Sequence, residues 1–189
     1  VHGYLFHNSE GLLGKDGDRN YSSLLQEKER GRIEKIGVSA YESKEVELLL
    51  DRYDLDIIQA PFNIMDRRLI ESNILERVCK TNTELHVRSI FLQGLLLIDK
   101  NSRPVKFNHW KDLWFNWDEW LSESKMSPLE ACINYVLSFD EISKIIVGVD
   151  SSQQLMEILR AISFESFAIP DEITTNDLML LNPFNWSKL

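Results

Sequence analysis

Five short, mostly apolar runs in this chain each end on a polar or glycine-bearing cluster, and a helical pattern follows each cluster. The runs with their endings are GYLFHN (Gly3 to Asn8), KIGVSAY (Lys35 to Tyr41), DIIQAPFN (Asp56 to Asn63), LHVRSIFLQG (Leu85 to Gly94) and KIIVGVDSS (Lys144 to Ser152). This rhythm implies an α/β fold of the (β/α)8 TIM-barrel type, in which the loops after the strands build the site. It directs attention to His7, Ser39, Gln59, Arg88, Ser89 and Gly148 rather than to the helices. A closed barrel of this type has eight strands, and only five are visible here. The expectation is therefore an incomplete barrel, with residues 1–189 as a single partial domain.

A chain of 189 residues suits one domain with a real core. Its net charge of -9 argues against nucleic acid or an anionic membrane as a partner, because both require a basic face. The plain reading of the acidity is solubility. No apolar run approaches the roughly 20 residues of a membrane span. The opening VHGYLF carries neither a basic leader nor a cleavage site. Cys79 and Cys132 lie far apart inside helical patterns, so a reducing, cytoplasmic setting without a disulfide scaffold is expected. No cysteine–histidine spacing suggests zinc, and no metal is expected.

Tyr4, Leu5 and Phe6 run straight into His7 with no turn before them, so the chain reads as entering in mid-fold. Asn20 is expected to cap a helix from Tyr21 to Arg30, which Gly31 ends. Ser43 is expected to cap a helix with Val46, Leu49 and Leu50 on one face. Asp66 should open one helix carrying Leu69, Ile70, Ile74, Leu75 and Val78. Between Phe107 and Lys125, Trp110, Trp114, Trp117 and Trp120 recur at spacings of four, three and three, along one helix face. Such a stripe is either internal packing or a stacking platform for a ligand. Ser127-Pro128 reads as an N-cap and first helical position, followed by a core helix to Leu137. Ser151 or Ser152 caps a helix from Gln153 to Ile162, and beyond Pro170 the chain reads as irregular, with Phe184 and Trp186 as anchors.

The strand ends carry the candidate chemistry. His7 could donate a hydrogen bond to a carbonyl oxygen or shuttle a proton near neutral pH, or be a satisfied strand-end polar group. Gln59 ends an apolar strand, where its amide could grip a flat carboxamide or bond to neighbouring backbone. Gly148 to Ser152 allows close backbone approach ahead of a helix N-terminus, a setting suited to phosphate. Arg88 is the cationic strand-end candidate, able to stack on a ring, hold an anion or pair with a carboxylate.

Taken together, GRIEKIGVSAYE, DIIQAPFNIMDRRLI, HVRSIFLQGLLL, SPLEACINYVLS and KIIVGVDSSQQLMEIL, in this order and at these intervals, resemble the C-terminal part of the aldo/keto reductase family. The resemblance implies a (β/α)8 barrel that uses NADPH, less often NADH, to reduce the carbonyl of an aldehyde or ketone. The visible strands would be the fourth to the eighth. His7 matches the histidine that orients and polarises the substrate carbonyl. Ser39 and Gln59 match residues on the nicotinamide amide, while Ala40 stands where the family has asparagine. Arg88, followed by Ser89, stands where the family usually stacks a tyrosine on the nicotinamide ring. Gln93 and Gly94 match the loop on the pyrophosphate side. Gly148, Ser151, Gln154 and Glu157 fall where members hold the adenosine half, and Gln154 replaces an arginine of many NADPH-preferring members, which leaves NADPH and NADH both open.

The family's catalytic aspartate, proton-donating tyrosine and lysine lie on the first three strands, and no residue here matches them. The expectation is a truncated reductase, inactive alone, whose open strand edges invite self-association. The alternative is a reductase-like binding or regulatory subunit without catalysis. A barrel lyase using Lys35 or Lys144 is disfavoured, because neither ends its strand.

Overall fold

Each apolar run supplies strand residues in the computed structural model, which describes residues 1–163 and 167–189, although the fifth strand stops at Ile145 and leaves Ile146 and Val147 outside it. The strands are β1 (Gly3–Phe6), β2 (Lys35–Ser39), β3 (Ile57–Pro61), β4 (Glu84–Arg88) and β5 (Ile142–Ile145). They lie in one sheet in chain order, and every neighbouring pair is parallel. Parallel neighbours cannot be joined by a tight hairpin and need a crossover, usually helical. The described residues divide into two compact units.

The first unit comprises Val1–Pro61, Arg68–Arg88 and Glu141–Ile145, and holds the sheet. Its helices are α1 (Glu10–Leu13), α2 (Gly17–Glu29), α3 (Ser43–Arg52), α4 (Arg68–Glu71) and α5 (Ile74–Thr81). Alternation along the strands divides the residues between two faces. Ile36, Val38, Ile58, Ala60, Leu85 and Val87 share one face and are fully buried. The apolar stripes Val46–Leu49 of α3 and Ile74–Leu75–Val78 of α5 are buried as well. The opposite face carries Lys35, Gly37, Ser39, Gln59, Glu84, His86 and Arg88.

Three local expectations are corrected here. Helix α2 begins at Gly17 with Asp16 at its N-cap, and the Asn20 amide instead donates to the Gly11 carbonyl at 2.9 Å. Ser43 is the first residue of α3 rather than its cap. Glu42 occupies that place and forms a capping box with Glu45. The single helix expected from Asp66 is two short ones, because Asn73 between them adopts φ 57°. Asparagine tolerates this left-handed conformation better than most residues.

The second unit comprises Phe62–Arg67, Ser89–Asp140 and Ile146–Leu189. It carries α6 (Lys111–Ser124), α7 (Pro128–Leu137), α8 (Ser152–Arg160) and α9 (Leu178–Leu181). Helix α7 opens with the expected Ser127 cap, completed by Glu130, and every residue from Ala131 to Val136 is buried. Burial pushes the Cys132 thiol up from its ordinary value. The tail is more regular than its sequence implies. Trp186 meets Phe107 edge-on at 4.9 Å and donates from Nε1 to the Leu180 carbonyl at 2.8 Å, while Phe184 is 70% exposed. No helix among the described residues is long and apolar enough to cross a membrane.

Candidate functional site

The C-terminal ends of β1 to β4 bring four of the sequence-derived candidates into the first unit. His7 follows β1 directly and is exposed. Ser39 and Gln59 end up side by side because β2 and β3 pair them in register. The Ser39 hydroxyl donates to Gln59 Oε1 at 3.3 Å. Ser39, the last residue of β2, is buried, and Gln59, at the middle of β3 rather than at the strand end expected for it, is half-buried. A primary amide held through its oxygen by a hydroxyl can offer its Nε2 donors to a planar carboxamide or carbonyl.

Arg88 ends β4 opposite Pro61, two residues past the level of Gln59. Its guanidinium lies 4.4 Å from the centroid of the Tyr41 ring and donates from Nη2 to the Ala40 carbonyl at 3.0 Å. Burial, opposed by Tyr41 and Glu45, holds Arg88 below the usual arginine value. Glu45 is the hub of this corner. Its Oε1 accepts from the Ser9 hydroxyl at 2.5 Å, and its Oε2 accepts from the N–H groups of Tyr41 and Glu42 at 2.7 and 3.0 Å. One carboxylate thus ties the loop after β1 to the loop after β2. Sequence reasoning missed Glu45 and Tyr41. The only signal was a glutamate at the third position of a helix whose preceding residue is itself acidic, an atypical capping box.

Deeper along the same face, a second row escaped the sequence reading. Lys35 of β2 pairs with Glu84 of β4, and the second Glu84 oxygen meets His86 Nε2 at 3.0 Å. The period-two pattern Glu84, His86, Arg88 against Leu85 and Val87 was the available clue. Hydrogen bonds from Lys35 and then His86 hold Glu84 below its ordinary value of 4.5. A depressed carboxylate contributes stability that is complete above its unfolded value and is lost as pH falls through the folded one. Replacing Lys35 with methionine is therefore expected to lower stability at neutral pH but to have little effect where Glu84 is protonated in both states. Urea melts of both proteins from pH 3 to pH 7, a window set by that ordinary value of 4.5, check the convergence.

In the second unit, the loop after β4 is backbone-strained. Ser89, Leu92 and Gln93 all have positive φ (59°, 46° and 55°), and Gly94 follows at 83°. Non-glycine residues in this region cost roughly 1–2 kcal/mol each, so the loop must be held. Ile90, Leu92, Leu95 and Leu96 anchor it by burial. The almost fully buried Asn63 donates to the Ser89 carbonyl at 3.2 Å while its Oδ1 takes the N–H groups of Met65 and Asp66, each at 3.0 Å. Gln93 stays exposed, and a Cβ at Gly94 would meet nothing within 4 Å. An exposed, rigid turn of this kind can present backbone N–H groups to an anion.

Gly148 precedes α8 in open space, and Ser151 is the α8 N-cap, accepting from the Gln154 N–H at 3.1 Å. The Gln154 side chain closes back on the Asp150 N–H at 2.7 Å, and Glu157 accepts from Gln153 at 2.9 Å. All four candidates are exposed, at the start of a nine-residue helix. The tryptophan stripe, by contrast, is packing. Trp114, Trp117 and Trp120 are buried, and the Nε1 groups of Trp114 and Trp120 donate to the Phe107 and Ala168 carbonyls. Trp110 donates to Asp177 at 2.9 Å. Arg103 stacks over Trp114 at 4.3 Å while paired to Asp118. Among the described residues, no group of three or more His, Cys, Asp or Glu side chains could hold a metal ion.

Comparison with known proteins gives this arrangement its class. Residues 18–173 match the aldo/keto reductase family, and the chain belongs to that family. The fold is similar to the holo form of the aldo-keto reductase AKR11C1 from Bacillus halodurans, with a TM-score of 0.72 at 18% identity over 92% of this chain and 59% of that one. It is also similar to the glycerol dehydrogenase AKR11B4 from Gluconobacter oxydans, with a TM-score of 0.65 at 18% identity over 88% of this chain and 55% of that one. The five parallel strands and their helices therefore have the α/β architecture of these (β/α)8 barrels. The chain spans less than two thirds of the length of the structures it resembles. Comparison with curated proteins finds no significant match.

Proposed function

We propose that this chain is the C-terminal five β/α units of an NAD(P)H-dependent reductase of aldehydes or ketones, with His7 beside the substrate carbonyl. When bound, the cofactor supplies a hydride. In this reading Ser39 and Gln59 hold the nicotinamide amide, and Arg88 lies toward the ring. Ser89, Gln93 and Gly94 take the pyrophosphate side, and Gly148, Ser151, Gln154 and Glu157 the adenosine half. NADPH and NADH are both candidates for the cofactor, because Gln154 stands where many NADPH-preferring members have arginine.

The observation that carries this reading is the Ser39–Gln59 pair, a hydroxyl and an amide 3.3 Å apart on adjoining strands. Ala40 is fully buried and its carbonyl is engaged by Arg88, so its position offers the ligand no side-chain amide. That substitution also favours the second reading, a reductase-like binding subunit. In either case we expect the isolated chain to be catalytically inert. General-acid help is worth roughly 10²–10⁴ in rate, and no tyrosine here matches the family's proton donor.

Titrating the chain with NADPH while following tryptophan fluorescence tests the cofactor reading. A saturable change is expected, weakened at least about fivefold by Gln59→Leu, which removes one amide contact worth about 1 kcal/mol. A linear, unsaturable response would remove the cofactor from the proposal.

A further inference from the structure

We infer that Arg88 makes this site discriminate between the two redox states of a nicotinamide cofactor, favouring the neutral reduced ring over the cationic oxidised one. The inference rests on the cofactor reading above and deepens it. Three observations place the charge. Pairing of β3 with β4 sets Gln59 opposite His86 and Pro61 opposite Arg88. Strand alternation then puts the guanidinium on the face that carries Ser39 and Gln59, about 6.6 Å further along at 3.3 Å per residue. The guanidinium is also fixed: the Tyr41 ring lies against it at 4.4 Å, and the Ala40 carbonyl takes one N–H at 3.0 Å. Finally, the side chain is half-buried, so water screens it less than a surface arginine.

A carboxamide gripped by Gln59 places its attached ring on the sheet face that carries this cation. The reduced nicotinamide ring is uncharged and can stack on the guanidinium plane. The oxidised ring is a pyridinium and meets a like charge. Glu45, whose oxygens accept from Ser9, Tyr41 and Glu42, keeps its charge and offsets part of that of Arg88, which limits the expected discrimination to about tenfold rather than more. The remainder of the cofactor is the same in both states, so its contribution cancels in the ratio of affinities. Tighter binding of the reduced form raises the reduction potential of the bound couple. A tenfold ratio is about 1.4 kcal/mol, or about 30 mV for a two-electron couple.

The test is a side-by-side fluorescence titration of the full chain with NADPH and NADP+, using wild type, Arg88→Lys and Arg88→Met. Wild type is expected to bind NADPH at least about tenfold more tightly than NADP+, a modest outcome for like charges at this range. Arg88→Lys keeps most of the ratio because it keeps the charge. Arg88→Met brings it within about threefold, mainly through a gain in NADP+ affinity. Residues that act only by stacking would weaken both forms together and leave the ratio unmoved, and that result overturns the inference. If Arg88→Met does not fold, Arg88→Gln, which is uncharged but can still donate to the Ala40 carbonyl, takes its place with the same expectation. Equal affinities in wild type overturn the inference while leaving the cofactor reading standing. Saturable binding of neither form overturns both.

Discussion

Gly17→Ala is expected to cost about 3 kcal/mol or more, a substantial share of the roughly 5–15 kcal/mol that holds a domain folded. The reason is steric and local. A Cβ built on Gly17 would sit 1.7 Å from the Leu12 carbonyl oxygen and 2.7 Å from the Tyr53 hydroxyl. Neither neighbour can withdraw. The Tyr53 hydroxyl lies 2.8 Å from the Leu12 carbonyl and 2.9 Å from Asp18, Tyr53 is buried, and Asp18 is tied to Arg52 at 2.9 Å. Relief therefore requires moving the backbone between α1 and α2. A large fall in the urea midpoint would confirm the clash, and Gly148→Ala serves as the control. At Gly148 the added methyl meets nothing within 4 Å, so less than about 0.5 kcal/mol is expected.

Trp117→Ala is expected to be comparably damaging in the second unit, at about 3–5 kcal/mol. Trp117 is 1% exposed and stacks on Trp120 with ring centroids 5.6 Å apart. Truncation leaves a cavity walled by large, interlocked side chains that cannot collapse into it. Its neighbour Phe115 is 64% exposed on the same helix, and Phe115→Ala should change stability by less than about 0.5 kcal/mol. Chemical denaturation followed by circular dichroism separates the two outcomes. Equal losses at both positions would mean that the stripe is not the core of α6.

The three central strands were legible because buried parallel strands read as near-continuous apolar runs, and Ile57-Ile58 and Val87 lie where those runs put them, whereas β1 and β5 are only partly buried. The strand-end position of His7, Ser39 and Arg88 follows from the same pattern, but β3 runs on to Pro61, so Gln59 is its central residue rather than its end. Periodicity also located α3 and α6 but not their first residues, whereas the Ser127-Pro128 pair marked the start of α7 correctly. Caps depend on where a side chain can reach, as Glu42 and Glu45 show at the start of α3. The break at Asn73 was hidden because the apolar spacing continues across it from Leu69 to Val78. Strain at Ser89, Leu92 and Gln93 was illegible for a different reason. None of these residues advertises a left-handed backbone, and the conformation is imposed by burial of the leucines and isoleucine around them. The choice between packing and ligand stacking for the tryptophans required partners, and the Phe107 and Ala168 carbonyls supplied them.

A sheet whose spatial order repeats its order along the polypeptide suits manufacture from one end. As synthesis proceeds, each new strand meets a partner already completed, and no earlier pairing has to be undone to admit it. The exception in pace is β5, which follows β4 only after the long stretch from Ser89 to Glu141 and joins it with a register irregularity between Leu85 and His86. Closing the longest loop comes at the greatest entropy cost, so the fourth strand waits longer for its following neighbour than β1, β2 or β3 does.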